Sequence, residues 1–384
     1  MQSIKPGLDS CDVLIVGGGP AGSTCAWKLR RAGLDVAILD RAVFPRDKVC
    51  GGWITPQVVT DLELDLEEYG RRRTLQAIRG FRTGTIGGRR EVETIYERVV
   101  SYGIRRCEFD DYLLRRSNAR VRCGVAISSI RQQGGCWVVN DSITAPMLVG
   151  AGGHFCPVAH QLNDSLEHRA EGPLVVAQEI ECAVEPATAA RFSVAPDVPE
   201  LYFCKDLKGY GWCFRKQGYV NIGLGRADRH SLPKATSEFV EFLERRRKIP
   251  PGGSWKWRGH AYLLHGGARR RAVGDGVVLV GDAAGLAYPK SGEGIRPAIE
   301  SGLLAASAIL DADGRYTRER LAPYEGALVG RLGGGLRVDL LSSVIAARML
   351  APFAGLLLQV PGFVRHVALD RWFLHADVPP LAAA

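Results

Sequence analysis

The chain has 384 residues, of which 46% are hydrophobic and 24% charged, and its net charge is +9. That balance excludes a disordered chain, a coiled coil and a collagen-like fibre, and the length favours two or three domains. Ten cysteines without a C-x-x-C pair give no support to zinc ribbons, thioredoxin-like sites or cysteine-rich iron–sulfur loops, so no metal site is expected. Met1 to Ser10 show no positive segment followed by an apolar one, so no secretory signal is expected and the thiols read as reduced, in the cytoplasm. The 46 glycines have no period, and so must serve turns and close backbone approaches.

The first predicted element is an apolar, β-branched strand over Asp12–Val16. Gly17-Gly-Gly19-Pro20-Ala21-Gly22 follows at once, and Ser23–Arg31 reads as a helix closed by Gly33. A second strand, Asp35–Leu39, ends at Asp40 and Arg41. Strand, G-x-G-x-x-G turn, helix, strand and acid together form the βαβ dinucleotide fingerprint. Gly17 permits the tight turn, Gly19 lets backbone approach a pyrophosphate, and Gly22 lets helix and strand pack. The free N–H groups of the helix start suit phosphate, and Asp40 suits the ribose hydroxyls. Whether the dinucleotide is FAD or NAD(P) is left open by this segment.

Further along, Phe44-Pro-Arg-Asp-Lys48-Val-Cys50-Gly51-Gly52 is a glycine-rich loop with one thiol beside a lysine, where a lowered thiol pKa is one expectation and a small buried apolar role the other. Arg106 precedes an amphipathic helix start at Glu108–Leu114. Leu148–Pro157 carries Gly152, His154 and Cys156; His154 reads as a loop-capping residue or as a base. Val175–Cys182, Leu201–Cys204 and Tyr219–Leu224 have strand character, and Thr236–Lys248 reads as a charged helix. Period two places Tyr210, Trp212 and Phe214 on one face of a strand, as a sheet core or as the wall of an apolar cavity. The apolar strand Gly276–Val280 leads into Gly281-Asp282-Ala-Ala-Gly-Leu-Ala-Tyr-Pro289-Lys-Ser-Gly292-Glu-Gly294-Ile295, and a helix is expected over Glu293–Leu310. Residues 316–374 read as largely helical with a break at Gly333–Gly335.

These segments resemble the geranylgeranyl reductase-like branch of the para-hydroxybenzoate hydroxylase-type flavoproteins. Gly281–Ile295 is similar to their second FAD motif, and Arg106, Phe109, Asp110 and Leu113 stand in register with their R-x-x-F-D-x-x-L segment. Phe44–Gly52 resembles their P-x-x-K-x-C-G-G loop, and Gly209–Phe214 with Asn221–Gly225 resembles their Y-x-W-x-F-P and N-V-G motifs. The resemblance runs from about Asp12 to Gly302 and implies an α/β (α+β) fold: a Rossmann-like FAD-binding domain with ββα layers, an antiparallel-sheet substrate domain and C-terminal helices. The FAD domain is expected to use residues 1–80, 101–157 and 271–312, the substrate domain 81–100 and 158–270, and the helical region 313–384.

The resemblance implies FAD contacts at Gly17, Gly19, Pro20, Ala21, Gly22, Asp40, Arg41, Cys50, Gly51, Gly52, Arg106, Gly281, Asp282, Pro289, Gly292, Gly294 and Ile295. It implies a catalytic role for Cys50, Tyr210 and Trp212, and a substrate wall of Tyr210, Trp212 and Phe214. Two positions depart from the family. Arg215 stands where proline is usual, and Gly152 replaces the acid of the G-A-D-G segment, which leaves NAD(P)H open as the reductant.

The expected activity is FAD-dependent hydride transfer at a C=C or C–C bond of a hydrophobic substrate, a prenyl compound, lipid or aromatic metabolite. The alternative is a flavin monooxygenase acting on an aromatic metabolite or a protein side chain. A halogenase is disfavoured, because Trp255-Lys-Trp257 lacks the family's following Ile-Pro. Arg71–Arg73, Arg245–Arg247 and Arg269–Arg271 form basic triplets without a nucleic-acid motif. They read as solvated surface, or as contacts to an anionic membrane face, a carrier or a redox partner, so the expected location is cytoplasmic with a peripheral membrane contact left open.

Overall fold

The computed structural model describes residues 9–163, 174–253, 256–265, 270–333 and 355–381. Among these, contacts define two compact units: 9–46, 109–163 and 262–333 form the first, and 47–108, 174–261 and 355–381 the second.

The first unit is built on a six-stranded sheet. Its order is Val273–Gly274, Val277–Leu279, Met147–Gly150, Val13–Val16, Val36–Asp40 and Arg120–Cys123, all parallel except the first pair. A parallel sheet must be covered on both faces, and the strand Val13–Val16 shows how. Val13 and Ile15 enter one core with Cys25, Leu29, Ala305 and Ile309 from two helices, Pro20–Arg31 and Ile295–Asp311. Leu14 and Val16 enter another, with Trp137, Val139, Ile143 and Ala145 from a second sheet. That sheet is four-stranded, in the order Asp9–Ser10, Ile143–Ala145, Cys136–Val139 and Ile130–Gln133. The result is a helix layer, a parallel sheet and a mostly antiparallel sheet, the expected ββα layering.

The chain leaves Val13–Val16 for Val36–Asp40 on one side, and Met147–Gly150 pairs on the other. This is a topological switch point, where ligands bind open α/β sheets. Both helices run longer or start elsewhere than expected by two or three residues: the first begins at Pro20, whose fixed φ suits a helix start, and the second at Ile295.

The second unit is a seven-stranded sheet in the order Arg258–Leu263, Leu174–Ala183, Tyr219–Arg226, Gly209–Lys216, Glu200–Phe203, Gly80–Thr85 and Glu91–Ile95. Its long central pairs are antiparallel, and Glu200–Phe203 runs parallel to Gly80–Thr85. One face packs Tyr202, Cys213, Ile222 and Leu224 under the helix Leu232–Arg245, through Phe239, Phe242 and Leu243. The other packs Leu201, Phe203, Trp212 and Phe214 under Val364, Ala368, Leu369 and Phe373 of a π-helical stretch, Val364–Phe373. A small sheet of Trp53–Ile54, Ser101–Ile104 and Leu75–Ile78 completes the unit.

The contacts divide the chain differently from the expected domains. Residues 47–80 and 101–108 group with the second unit, because the buried Lys216 donates to the Ile104 carbonyl at 2.9 Å and so fastens the small sheet to the large one. Residues 313–333 group with the first: Tyr324 is buried there and donates its hydroxyl to the Leu279 carbonyl at 2.8 Å. Pro323–Leu332 is helical and ends at Gly333. The expected helical content of 334–354, and positions 254–255 and 266–269, including Trp255 and Arg269, lie outside the described residues.

The two helices of the first unit touch through small residues. A Cβ on Gly302 would stand 2.5 Å from the Ala21 carbonyl oxygen, inside van der Waals contact. Gly302→Val is therefore expected to cost about 1–3 kcal/mol by overpacking, read as a lowered Tm; an unchanged Tm would show that the helices can separate freely.

Candidate functional site

The glycine turn of the first unit is shaped by backbone constraint. Gly17 has φ +114, and a Cβ there would overlap the Ala151 carbonyl. Only glycine meets both demands. The helix that follows has no side-chain cap, and Pro20 brings no N–H, so the first-turn N–H groups of Ala21 and Gly22 face outward from the turn. Pro20, Ala21 and Gly22 are buried, and the exposed Arg41 extends outward beside Asp40. Asp40 is held firmly: Oδ2 accepts from Gly18 N–H at 2.7 Å and Oδ1 from Ala42 N–H at 2.8 Å, which leaves lone pairs for ribose hydroxyls.

Arg46 completes this cradle, and the sequence reading missed it as a site residue. Its Nη2 lies 3.3 Å from where a Gly19 Cβ would stand, its guanidinium rests over Phe44, and it pairs with the fully buried Asp110 at 3.1 Å. The signal was available, because Arg46 and Asp110 both stand in the quoted motifs. An uncapped helix start beside a guanidinium is an anion site, and with Asp40 this donor set fits the diphosphate and ribose of FAD.

The second motif forms a turn at Gly281–Ala283, where Gly281 N–H donates to Ser301 Oγ at 2.9 Å. Asp282 Oδ1 lies 3.4 Å from the Cβ position of Gly294, the residue that starts the helix Ile295–Asp311. Pro289 is exposed, Gly292 packs beside the Tyr262 hydroxyl, and Ile295 is buried. Glu293 was not expected to matter. Its Oε1 accepts from Arg296 N–H at 2.8 Å, while Oε2 is buried and unpaired among the described residues. Burial pushes its carboxyl up to about 7, against the pull of Arg296. Arg296 in turn binds Glu300 at 2.7 Å, and Arg331 binds the same oxygen at 2.7 Å.

Two expected positions nearby are placed plainly. A Cβ on Gly152 would stand 3.2 Å from Cys156 Sγ, so that small residue and the buried cysteine fit each other. Burial raises the Cys156 thiol, and His154 lies edge-on to Phe155 with ring centres 4.6 Å apart.

In the second unit the register explains the aromatic motif. Trp212 pairs with Gly223, and Gly223 with Glu179; Phe214 pairs with Asn221, and Asn221 with Glu181. A Cβ on Gly223 would overlap the Trp212 ring, so glycine there makes room for the indole. The indole N–H donates to Asn221 Oδ1 at 2.6 Å. Asn221 Nδ2 lies 3.3 Å from each of the Cys50 carbonyl, Glu179 Oε2 and Glu181 Oε1. Cys50 N–H donates to Glu179 Oε2 at 2.7 Å, and Gly52 N–H points to Cys50 Sγ at 3.4 Å.

Trp212 and Phe214 are buried at 6% and 1%, while Tyr210 is half-buried and meets Phe373 edge-on at 5.0 Å. Gly51 lies against both buried rings, with the Phe214 edge 3.3 Å from its Cβ position. Gly52 has φ +65, and a Cβ there would stand 2.6 Å from Lys216 Nζ. Lys48 turns to His260 in a close side-chain pair, and a shallow cavity of about 380 Å³ lies there, lined by Asp47, Lys48, Val49, Arg258, Gly259 and His260. Arg215 reaches the Val194 carbonyl at 3.5 Å. Arg106 is buried at the start of the helix Arg106–Arg116.

Glu179, Glu181 and Lys216 were missed in the sequence. Lys216 is 1% exposed and binds Glu181 Oε1 at 2.9 Å; Arg105 reaches the other oxygen at 3.3 Å and stacks over Tyr219. Burial alone would raise Glu181, but Lys216, Asn221 and Arg105 outweigh it and hold its carboxyl below the usual range. The available signal was two carboxylates spaced by two, and so on one face, in the strand Leu174–Ala183.

The profile of the FAD dependent oxidoreductase family matches residues 12–99. A menaquinone reductase of Mycobacterium tuberculosis is 31% identical over 93% of this chain and 86% of its own length. A geranylgeranyl diphosphate reductase of Rhodobacter capsulatus is 30% identical over 78% of this chain and 75% of its own. The chain belongs to the geranylgeranyl reductase-like FAD-dependent oxidoreductases. The fold agrees: a geranylgeranyl bacteriochlorophyll reductase-like protein of Thermoplasma acidophilum superposes with a TM-score of 0.76, at 20% identity, over 97% of this chain and 99% of that one. No described helix of this flavoprotein is long and apolar enough to cross a membrane.

Two outcomes follow for the FAD unit. Asp40→Ala should weaken FAD binding about tenfold or more, by removing the ribose acceptor and loosening Gly18; flavin absorbance retained after gel filtration would contradict this. For Glu293, the folded chain keeps a proton that the unfolded chain releases near 4.5. Its contribution to stability is full below 4.5 and is lost as pH rises to about 7, on the order of 3 kcal/mol. Denaturant unfolding at saturating FAD should show that decline, and Glu293→Gln should flatten its share of it.

Proposed function

We propose that this chain is a flavin-dependent reductase that saturates a carbon–carbon double bond in a hydrophobic, prenyl or lipid-type substrate. The observation that carries the reading is the joining of the Cys50–Gly52 loop to the aromatic motif through Asn221, since one buried amide bonds the Trp212 indole and the Cys50 carbonyl together. The names of the relatives, a menaquinone reductase and a geranylgeranyl diphosphate reductase, supply the substrate class.

When bound, FAD supplies the hydride chemistry. The first unit would hold it with the N–H groups of Ala21 and Gly22, Arg46 and Asp40 at the diphosphate and ribose, and with Asp282 and the start of the helix Ile295–Asp311 at the second motif. In the second unit, the half-buried Tyr210 is the proposed wall that orders a flexible chain and excludes water, and it is backed by Trp212 and Phe214, which lie in the core under Val364–Phe373 rather than facing a substrate. Saturation adds a hydride to one carbon and a proton to its neighbour. The Cys50 thiol is the proposed proton donor, and solvent returns the proton afterwards. Gly51 keeps backbone rather than side chain beside those two rings.

Anaerobic mixing of the reduced enzyme with prenylated quinones and prenyl lipids should reoxidise the flavin and yield a product two hydrogens richer. A hydroxylated product formed only with oxygen would instead establish the monooxygenase reading. Cys50→Ala should lower turnover about a hundredfold with flavin content unchanged; unaltered turnover would remove Cys50 from the chemistry.

A further inference from the structure

Glu179 stands outside the roles assigned so far. The strand Leu174–Ala183 turns it inward to 4% exposure. Its Oε2 receives two donors, Cys50 N–H at 2.7 Å and Asn221 Nδ2 at 3.3 Å. The groups facing it are Glu181 on its own strand, Lys216 from Gly209–Lys216, Asn221 from Tyr219–Arg226 and Cys50 from the loop. Lys216 makes its bonds elsewhere, to Glu181 Oε1 and the Ile104 carbonyl, both at 2.9 Å, and Arg105 reaches Glu181 as well. Both cations thus serve Glu181, and among the described residues Glu179 makes no ion pair within 4.0 Å. Its strongest contact is the backbone of the loop that carries the thiol.

We propose that Glu179 is a positioning residue for the Cys50 loop: as a carboxylate it draws the Cys50 amide onto the seven-stranded sheet, and as a neutral acid it lets that amide go. Charge-assisted bonds from backbone N–H to carboxylate are roughly twice as strong as neutral ones, so the two states differ in how tightly they hold Cys50. Burial pushes the Glu179 carboxyl up to about 7, against Lys216 and the Cys50 and Asn221 bonds, so the exchange between states falls in the neutral range. The link to catalysis rests on the reading of Cys50 as a participant in the reaction.

Hydrogen exchange at the Cys50 amide of the FAD-loaded protein, corrected for the intrinsic rate at each pH, measures the hold directly. Protection in the native chain should rise about tenfold between about pH 6 and about pH 8. Glu179→Gln keeps the size and an acceptor but cannot ionise, so its protection should be flat across that range. Glu179→Asp keeps the charge and should restore a step. A native chain without the step, or a Gln variant that retains it, overturns the proposal.

Turnover of the same three proteins supplies the second measurement. The native kcat should follow the exchange step, and the Gln variant should lose that ionisation with KM changed by no more than about twofold. An exchange step with no matching limb in kcat overturns the positioning role. Absence of turnover on every prenyl substrate, with the exchange step intact, overturns the proposed reaction and leaves the hold of Glu179 on the loop established.

Discussion

One buried amide organises the second unit. Asn221 is fully buried, its oxygen takes the Trp212 indole hydrogen, and its two hydrogens face three acceptors: the Cys50 carbonyl, Glu179 and Glu181. Such a group is tolerated in a core only when it is bonded. The surroundings are therefore not free to vary one at a time. Gly223 must be small to admit the indole, Lys216 must neutralise Glu181, and the Cys50 loop must present its carbonyl inward. An apolar residue at 221 would leave the indole N–H without its buried acceptor, at a cost of about 1–3 kcal/mol. The spacing of the aromatic and asparagine motifs follows from this, because register pairs Asn221 with Phe214 and with Glu181 across three strands.

The proposed FAD cradle of the first unit would solve a different problem, how to hold a polyanion without burying a matching row of cations. Its answer is backbone. The uncapped start of the helix Pro20–Arg31 offers N–H groups, and a single guanidinium, Arg46, stands beside the turn. Arg46 would wander if it were tethered only to ligand. The ion pair to the wholly buried Asp110 and the ring of Phe44 fix it in advance. Removing Asp110 would take away the buried anchor of the Arg46 guanidinium.

Much of the fold was legible because its signals are local. The strand Val13–Val16, the glycine turn and Asp40 announce themselves within thirty residues, and the ββα layering follows from strands too apolar to face water. The residues proposed to hold FAD stand in equally local motifs, apart from the pairing of Arg46, whose partner lies sixty-four positions away. What stayed hidden was non-local. Glu179 and Glu181 look like solvent-facing residues of an alternating strand, and only the pairing with Tyr219–Arg226 places them inside. Trp212 and Phe214 were expected to wall a substrate cavity, with a sheet core as the alternative, and the segment that covers them, Val364–Phe373, lies a hundred and fifty residues on. The Lys48 side chain, two residues before Cys50 in sequence, turns to His260 instead.

Several arginines act by the same logic of fixed pairing. Arginine outnumbers lysine 40 to 10, and the structure uses the planar fork of arginine as a tether. Arg120 joins Asp9 to Asp35 at 2.8 and 2.7 Å, and Arg82 spans Glu91, Glu93 and the buried Glu200. Four members of the first two triplets behave alike. Arg71 pairs with Glu67, Arg73 lies over Tyr69, Arg245 pairs with Glu241, and Arg246 donates to the Gly88 carbonyl while resting on Phe242. A nucleic-acid surface needs guanidinium groups that reach outward together. Here Arg71, Arg73, Arg245 and Arg246 each hold a partner on their own fold.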